Sequence, residues 1–146
     1  MTEPMKRLCV PCSPVVRLRG PDDLVRFVRQ HERSSPRGGG PSVFVCGLAP
    51  SRDVTGAFTQ LRSFGHGGIG ARQLVSCAAS LHTTRIALAW TVPPGATSPS
   101  ALEIDAAVAL GRELLDCGVA LVDSVIVSGH RWWSCRDHVM STCEKV

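Results

Sequence analysis

Several side chains near the two ends of the chain have the types and spacing of zinc ligands. Cys9 and Cys12 are separated by two residues, and Cys135, His138 and Cys143 are clustered near the other end. Thiolate sulfur and imidazole nitrogen are the ligands that a structural zinc prefers. One hypothesis is therefore a structural zinc at the chain ends. The alternative is reduced thiols without metal, since the Cys-x-x-Cys pair has no matching second pair.

Two carboxylates lie at the start of a segment with helical spacing. Glu103 and Asp105 follow a loop rich in Pro, Gly, Ser and Thr. With His66 or His82 they would offer oxygen and nitrogen ligands for a hydrolytic metal site. Ser100 and Glu103 also have the spacing of a capping box, in which both side chains bind free N–H groups of the first helical turn. The pair is therefore explained either by helix capping or by a site at this helix start.

Basic residues form a third group, which could bind negatively charged ligands. Residues 1–40 carry eight Lys or Arg side chains against four acidic ones, in a chain of net charge +4. Arginines that meet phosphates release counterions, which favours binding to nucleic acids or other polyanions. Spaced arginines are also typical of a solvated helix face. The residues for which polyanion contact is a hypothesis are Arg17, Arg19, Arg26 and Arg29.

The elements that position these groups are helices and short strands. Apolar spacing, helix-forming composition and capping residues predict helices over residues 20–32, 71–81 and 100–115. Apolar runs bounded by turn residues predict strands over 43–48, 54–64, 85–91, 121–127 and 131–135. The first two strands and the last two are expected to form antiparallel hairpins. The sequence therefore predicts an α/β fold, with a central mixed sheet and helices packed around it.

Composition indicates one domain of a soluble protein. The chain has 146 residues, of which 44% are hydrophobic, and this is enough for a core of its own. No apolar run approaches the roughly 18 residues that span a bilayer, and the N-terminal residues lack the apolar run of a secretory signal. We therefore expect a cytoplasmic protein with no membrane contact. Its seven cysteines are expected to be mostly reduced, with Cys46, Cys77 and Cys117 as small buried hydrophobes.

One run of the chain reads Trp90-Thr91-Val92-Pro93-Pro94-Gly95, and Pro99-Ser100 and Glu103 follow it. This run resembles the loop and helix start of RadC-like members of the JAB/MPN metallopeptidase family. Members with an intact site carry His-x-His-Pro-x-Gly, followed by Pro-Ser-x-x-Asp at a helix start. Here Trp90 and Val92 stand at the two His positions, and Glu103 stands at the Asp position. The residues that keep the family spacing are Pro93, Gly95, Pro99 and Ser100.

The C-terminal part of the chain resembles the same family. There a helix leads to a Gly-x-x-Leu-x-Asp-His run and then to a final glycine, aromatic residue and serine. Ser124 replaces the His of that run. The residues that fit are Gly118, Leu121, Asp123, Trp133 and Ser134. With the leading helix and first strand upstream, the resemblance covers almost the whole domain in order.

The resemblance implies a JAB/MPN (cytidine-deaminase-like) fold without the family's hydrolytic site. In an intact site two His and one Asp hold zinc, a Glu near the first strand acts as base, and the Ser stabilises an oxyanion. Trp90 and Val92 offer no lone pair suited to zinc, which leaves Glu103 as a single carboxylate. Ser42 or a neighbour stands in place of the base, and Ser100 matches the family serine. No catalytic residue, metal or cofactor is therefore expected.

The domain organisation that follows has three parts. Residues 1–41 form an N-terminal arm, helix and flexible connector, residues 42–136 the RadC-like domain, and residues 137–146 a tail. The leading functional hypothesis is a non-catalytic domain that binds a protein partner, self-associates or acts as a scaffold. One alternative is a metal-dependent peptidase or isopeptidase with a relocated site. Another is an accessory protein that contacts nucleic acid through the basic N-terminal segment.

Overall fold

The computed structural model describes residues 5–8, 16–34, 42–61, 69–92 and 101–135. Within these ranges the chain forms strands and helices that are numbered here in chain order. They are β1 (Lys6–Leu8), α1 (Pro21–Ser34), β2 (Ser42–Leu48), β3 (Val54–Leu61), α2 (Ala71–Ser80), β4 (Arg85–Val92), α3 (Ala101–Asp116), β5 (Ala120–Ser128) and β6 (Arg131–Ser134).

The six described strands form one mixed sheet with the order β1-β3-β2-β4-β5-β6. Strand β2 is antiparallel to both of its neighbours, β3 and β4. Strands β4 and β5 are parallel, and α3 provides the crossover that a parallel pair requires. This connection places α3 beside the two strands that carry Trp90 and Ser124.

Helix α1 covers one face of the sheet. Two aspartates in its first turn suit the positive end of the helix dipole, and the Asp23 carboxylate also accepts the backbone N–H of Arg19 at 2.9 Å. The buried side of α1 packs against alternate residues of β2, β4 and β5. This cluster includes Leu24, Val25, Phe27, Val28, Phe44, Cys46, Ala87, Ala89, Val125 and Val127.

Helices α2 and α3 cover the other face. Successive side chains of a strand point to opposite faces, so the intervening residues of β2, β4 and β5 form a second cluster. From the strands this cluster includes Val43, Val45, Leu88, Trp90 and Ile126, and from the helices Leu74, Ala78 and Leu114. The molecule therefore has three layers, with one helix on one side of the sheet and two on the other.

The predicted α/β architecture, a mixed sheet flanked by helices, is confirmed. Both predicted hairpins are present, because β2 pairs antiparallel with β3 and β5 with β6. Strand β1 was not predicted, since three residues with two charges carry no strand pattern; it exists through its pairing with β3. Both β1 and α1 come from the segment predicted to precede the domain, and both pack into the same layers.

No helix in the described ranges has the length and apolar character needed to cross a membrane.

Candidate functional site

A cleft of about 380 Å³ lies between the start of α2, one side of α3, and strands β4 and β5. Its wall on α3 runs from Glu103 to Glu113 and includes several alanines. Trp90, Ser124 and Cys135 line the sheet side. This cleft contains two of the positions that the resemblance assigned to a metal site.

The indole of Trp90 is held in place by a serine on the neighbouring strand. Trp90 and Ser124 are only 5% and 3% exposed, and the indole N–H donates to the Ser124 hydroxyl oxygen at 3.2 Å. A buried indole N–H needs such an acceptor. The resemblance places a family histidine at position 124 and another at position 90, and here the serine at 124 accepts the indole N–H of the tryptophan at 90.

A buried carboxylate fixes the strand next to Ser124. Asp123 accepts the backbone N–H of Ser124 and the hydroxyl of Ser134, both at 2.8 Å. The backbone N–H of Cys135 donates to the Ser124 carbonyl, also at 2.8 Å. The bonds of Ser134 and Cys135 connect the end of β6 to β5, next to Ser124 and Cys135, which both line the cleft.

The Cys135 thiol is buried near two negatively charged carboxylates. Burial raises its pKa, and the negative charges of Asp123 and Glu103 raise it further because they disfavour a thiolate. The structure therefore favours the neutral thiol at this position. Burial also raises the pKa of Cys77, and it raises the pKa of Cys46 to about 12.

The remaining positions assigned to a metal site are only partly brought together. Glu103 is half-buried in the cleft, and Val92 packs at the margin of the core on the same face as Trp90. Ser100 lies outside the described residues. The resemblance assigns three positions to metal ligands. Two of them, Trp90 and Glu103, line one cleft, and Val92 lies on the same side of the sheet.

Ser42 lies on the opposite face. Its backbone N–H donates to the Thr91 hydroxyl at 2.9 Å, and the two hydroxyl oxygens are 2.8 Å apart. Val43 pairs with Trp90 in the face covered by α2 and α3, so the preceding residue points towards α1. The structure therefore does not bring Ser42 into the cleft. Val43 is the residue at this end of β2 that faces the same side as Trp90.

The residues considered for a relocated metal site do not form one in the described ranges. Asp105 is exposed on α3, His82 is exposed after α2, and His66 lies outside the described residues. Across those ranges, no group of three or more His, Cys, Asp or Glu side chains is arranged to hold a metal ion. Glu103 and Asp105 are therefore not joined there by a third ligand.

The cysteine cluster considered for a structural zinc is described at one position only. Cys135 is 2% exposed and belongs to the core beneath α2 and α3. Cys9, Cys12, His138 and Cys143 lie outside the described residues. Of the cysteines expected to be buried, Cys46 and Cys77 are buried, but Cys117 is exposed because it follows the end of α3.

Three of the four N-terminal arginines are occupied by contacts within the fold. Arg17 Nε lies 2.7 Å from Asp53 Oδ1, and this hydrogen bond is the largest cause of the lowered pKa of Asp53. Arg29 donates to the Gly129 carbonyl at 3.1 Å, and Arg26 lies 3.5 Å from Asp23. The side chain of Arg19 is exposed. Arg17, Arg26 and Arg29 therefore contact other parts of the fold.

No model of a known protein family matches the chain, and a comparison with curated protein sequences also found no match.

Sequence reasoning missed the extent of the cleft. It singled out Glu103 but not Glu113, and it gave no role to Ala106, Ala107 or Ala109. A signal was present, because residues 103, 106, 107, 110 and 113 recur at helical spacing and include small side chains. That spacing predicts a helix side but does not show that the side faces an open cleft.

The Trp90–Ser124 hydrogen bond gives a testable coupling. Ser124→Ala removes the acceptor of a buried N–H and should lower the free energy of unfolding by about 1–2 kcal/mol. In a Trp90→Phe background the same change should cost about 1 kcal/mol less, because no indole remains to be satisfied. Urea denaturation of the two single variants and the double variant measures this coupling.

The matched control is Ser76→Ala, which changes an exposed serine on α2. It should alter stability by about 0.5 kcal/mol or less. A coupling indistinguishable from zero would contradict the hydrogen bond.

Proposed function

We propose that this chain is a non-catalytic domain of the RadC-like JAB/MPN type that binds a protein partner. The observation that carries the proposal is that Trp90 and Glu103 line the same cleft. They lie on different elements, β4 and α3, and the resemblance assigns both positions to one metal site. The mixed sheet flanked by helices agrees with the fold that the resemblance implies.

The proposed loss of hydrolysis follows from side-chain chemistry. A catalytic zinc needs about three protein ligands and a base that activates its water. The indole N–H of Trp90 is a donor, the side chain of Val92 is a hydrocarbon, and Glu103 supplies one carboxylate. Val43, which faces the cleft side at the start of β2, is not a base.

The proposed protein binding is supported by the surface of α3. This helix is rich in apolar residues, yet only Gly111 and Leu114 are buried. Leu102, Ala106 and Ala109 are exposed at a spacing that places them on one side of the helix, and Leu102 is 81% exposed. We call these three residues the α3 stripe. A partner on the α3 stripe would remove apolar surface from water, which favours association.

The test compares the same substitution on two helices. Ala109→Arg places a long charged side chain on the α3 stripe, whereas Ala79→Arg places it on the exposed side of α2. Tagged parent and Ala79→Arg proteins should retain the same protein in stoichiometric amount from native extract. Ala109→Arg should retain at least about tenfold less, equivalent to a loss of about 1.4 kcal/mol.

Other outcomes would contradict the proposal. Equal retention by all three proteins would place the partner elsewhere. Zinc with peptidase activity, and no retained protein, would favour a relocated catalytic site. Retention on DNA that falls steeply with salt would favour nucleic-acid contact through the N-terminal arginines.

A further inference from the structure

The exposed side of α3 carries charges of both signs beside its apolar residues. Asp105, Arg112 and Asp116 are exposed, and in the described part of the chain no ion pair involves any of them. They lie next to the α3 stripe, because residues 105, 109, 112 and 116 recur at helical spacing. The described fold therefore leaves this surface apolar in part and charged in part, with the charges open to a partner.

The order of these charges makes α3 complementary to an antiparallel copy of itself. Asp105 and Arg112 are seven residues apart on the same side of the helix, which is about 10 Å along its axis. A second α3 running in the opposite direction sets its Arg112 opposite Asp105, and two-fold symmetry sets its Asp105 opposite Arg112. One register therefore forms two identical ion pairs. A parallel copy in register would place like charges against each other.

The same register suits two further parts of the surface. Asp116 lies four residues beyond Arg112, so it falls opposite Ala101, where α3 of the second copy begins. A carboxylate is favoured at that end of a helix, because the free N–H groups there carry positive partial charge. Leu102, which is 81% exposed in one copy, follows Ala101 and comes close to the second helix. Removing part of this side chain from water favours association.

We propose that the α3 stripe is covered by a second copy of this chain. The two α3 helices lie antiparallel about a two-fold axis near Ala109, and Asp105 of each copy pairs with Arg112 of the other. Such a symmetric contact closes on itself, so it gives a dimer and not a filament. The inference rests on the proposed function in one respect, because it takes the α3 stripe as the binding surface and names the partner.

A charge exchange tests the register. In Asp105→Arg both contacts of the dimer become arginine against arginine, and in Arg112→Asp both become aspartate against aspartate. The double variant with both changes restores opposite charges at each contact. Sedimentation equilibrium at chain concentrations up to about 1 mM measures the dimer Kd, a range that includes weak association through a small interface.

The expected changes in Kd follow from the pairing. Each single variant should raise the dimer Kd about tenfold or more, because two attractions become two repulsions. The double variant should return the Kd to within about threefold of the parent. The matched control is Arg72→Asp, which makes the same charge change as Arg112→Asp on the exposed side of α2 and should leave the Kd within about twofold. Circular dichroism verifies that every variant is folded.

Three results would overturn the proposal. They are a parent that stays monomeric at about 1 mM, a folded double variant that associates no better than the single variants, and an equal loss of association in Arg72→Asp. The last result would show general charge repulsion in place of a specific register.

Failure of this inference is distinguishable from failure of the proposed function. A monomeric parent that retains a different protein, and loses it on Ala109→Arg, would overturn the self-association and leave the proposed function in place. Zinc-dependent peptidase activity would contradict the proposed function, whereas the charge exchange would still decide whether the dimer forms.

Discussion

Gly47→Ala is expected to lower the free energy of unfolding by about 1–3 kcal/mol, as overpacked cores do. A Cβ at Gly47 would lie 2.7 Å from Thr55 Oγ1 and 2.9 Å from Leu81 Cβ. The Cβ of Leu81 is attached to the backbone at the end of α2, so it cannot move aside as the tip of a flexible side chain can. Because total stabilities are about 5–15 kcal/mol, this is a large effect for one methyl group.

The matched control is Gly70→Ala, where an added Cβ would meet no atom within 4 Å. Gly70 is the N-cap of α2, and alanine is a weaker N-cap than glycine, so a cost of at most about 1 kcal/mol is expected. Urea denaturation at one temperature compares the two variants. Equal costs, or a negligible cost for Gly47→Ala, would show that β2 and the end of α2 are not in close contact.

Most elements of the fold were predictable because their patterns are local. The apolar runs of β2, β4 and β5 are fully or largely buried strands, and the stripe of Leu24, Phe27 and Val28 is the buried side of α1. Strand β1 was not predictable, because it depends on a partner strand distant in sequence. The order of strands in the sheet also depends on long-range pairing, which single-segment patterns do not contain.

The candidate site was predictable in part for the same reason. Alternation along β4 correctly places Trp90 and Val92 on one face. The position of Ser42 depended on a register that the glycine-rich segment before it does not define, and the side chain lies on the other face. The role of Ser124 as acceptor for Trp90 depends on the parallel pairing of β4 and β5, which becomes visible only in the fold.

The second large effect is expected on metal affinity. We expect a three-ligand zinc site in the triple variant Trp90→His, Val92→His, Glu103→Asp. Its Kd for zinc should be about 1 μM or lower, which corresponds to a binding free energy of about −8 kcal/mol or stronger. Positions 90 and 92 face the same side of β4, and position 103 lines the same cleft as Trp90. The two histidine changes without Glu103→Asp should bind zinc more weakly.

Folding must be verified before metal binding is measured. Replacing buried Trp90 removes packing worth about 3 kcal/mol, which circular dichroism and urea denaturation will detect. Hydrolysis is not expected from the triple variant, because its bound water would lack a base. The carboxylate that would supply one belongs at Val43, which pairs with Trp90 on the same face, and not at Ser42.

The central claim is that Trp90, Val92 and Glu103 occupy the positions of a lost metal site. Zinc content per chain, measured by elemental mass spectrometry after dialysis, tests it most directly. Parent and triple variant are compared in a Cys9→Ser, Cys12→Ser background, so that the terminal cysteines do not contribute. We predict near-stoichiometric zinc in the folded triple variant and substoichiometric zinc in the parent. A folded triple variant with no more zinc than the parent, or stoichiometric zinc in the parent that is lost on Glu103→Gln, would contradict the account.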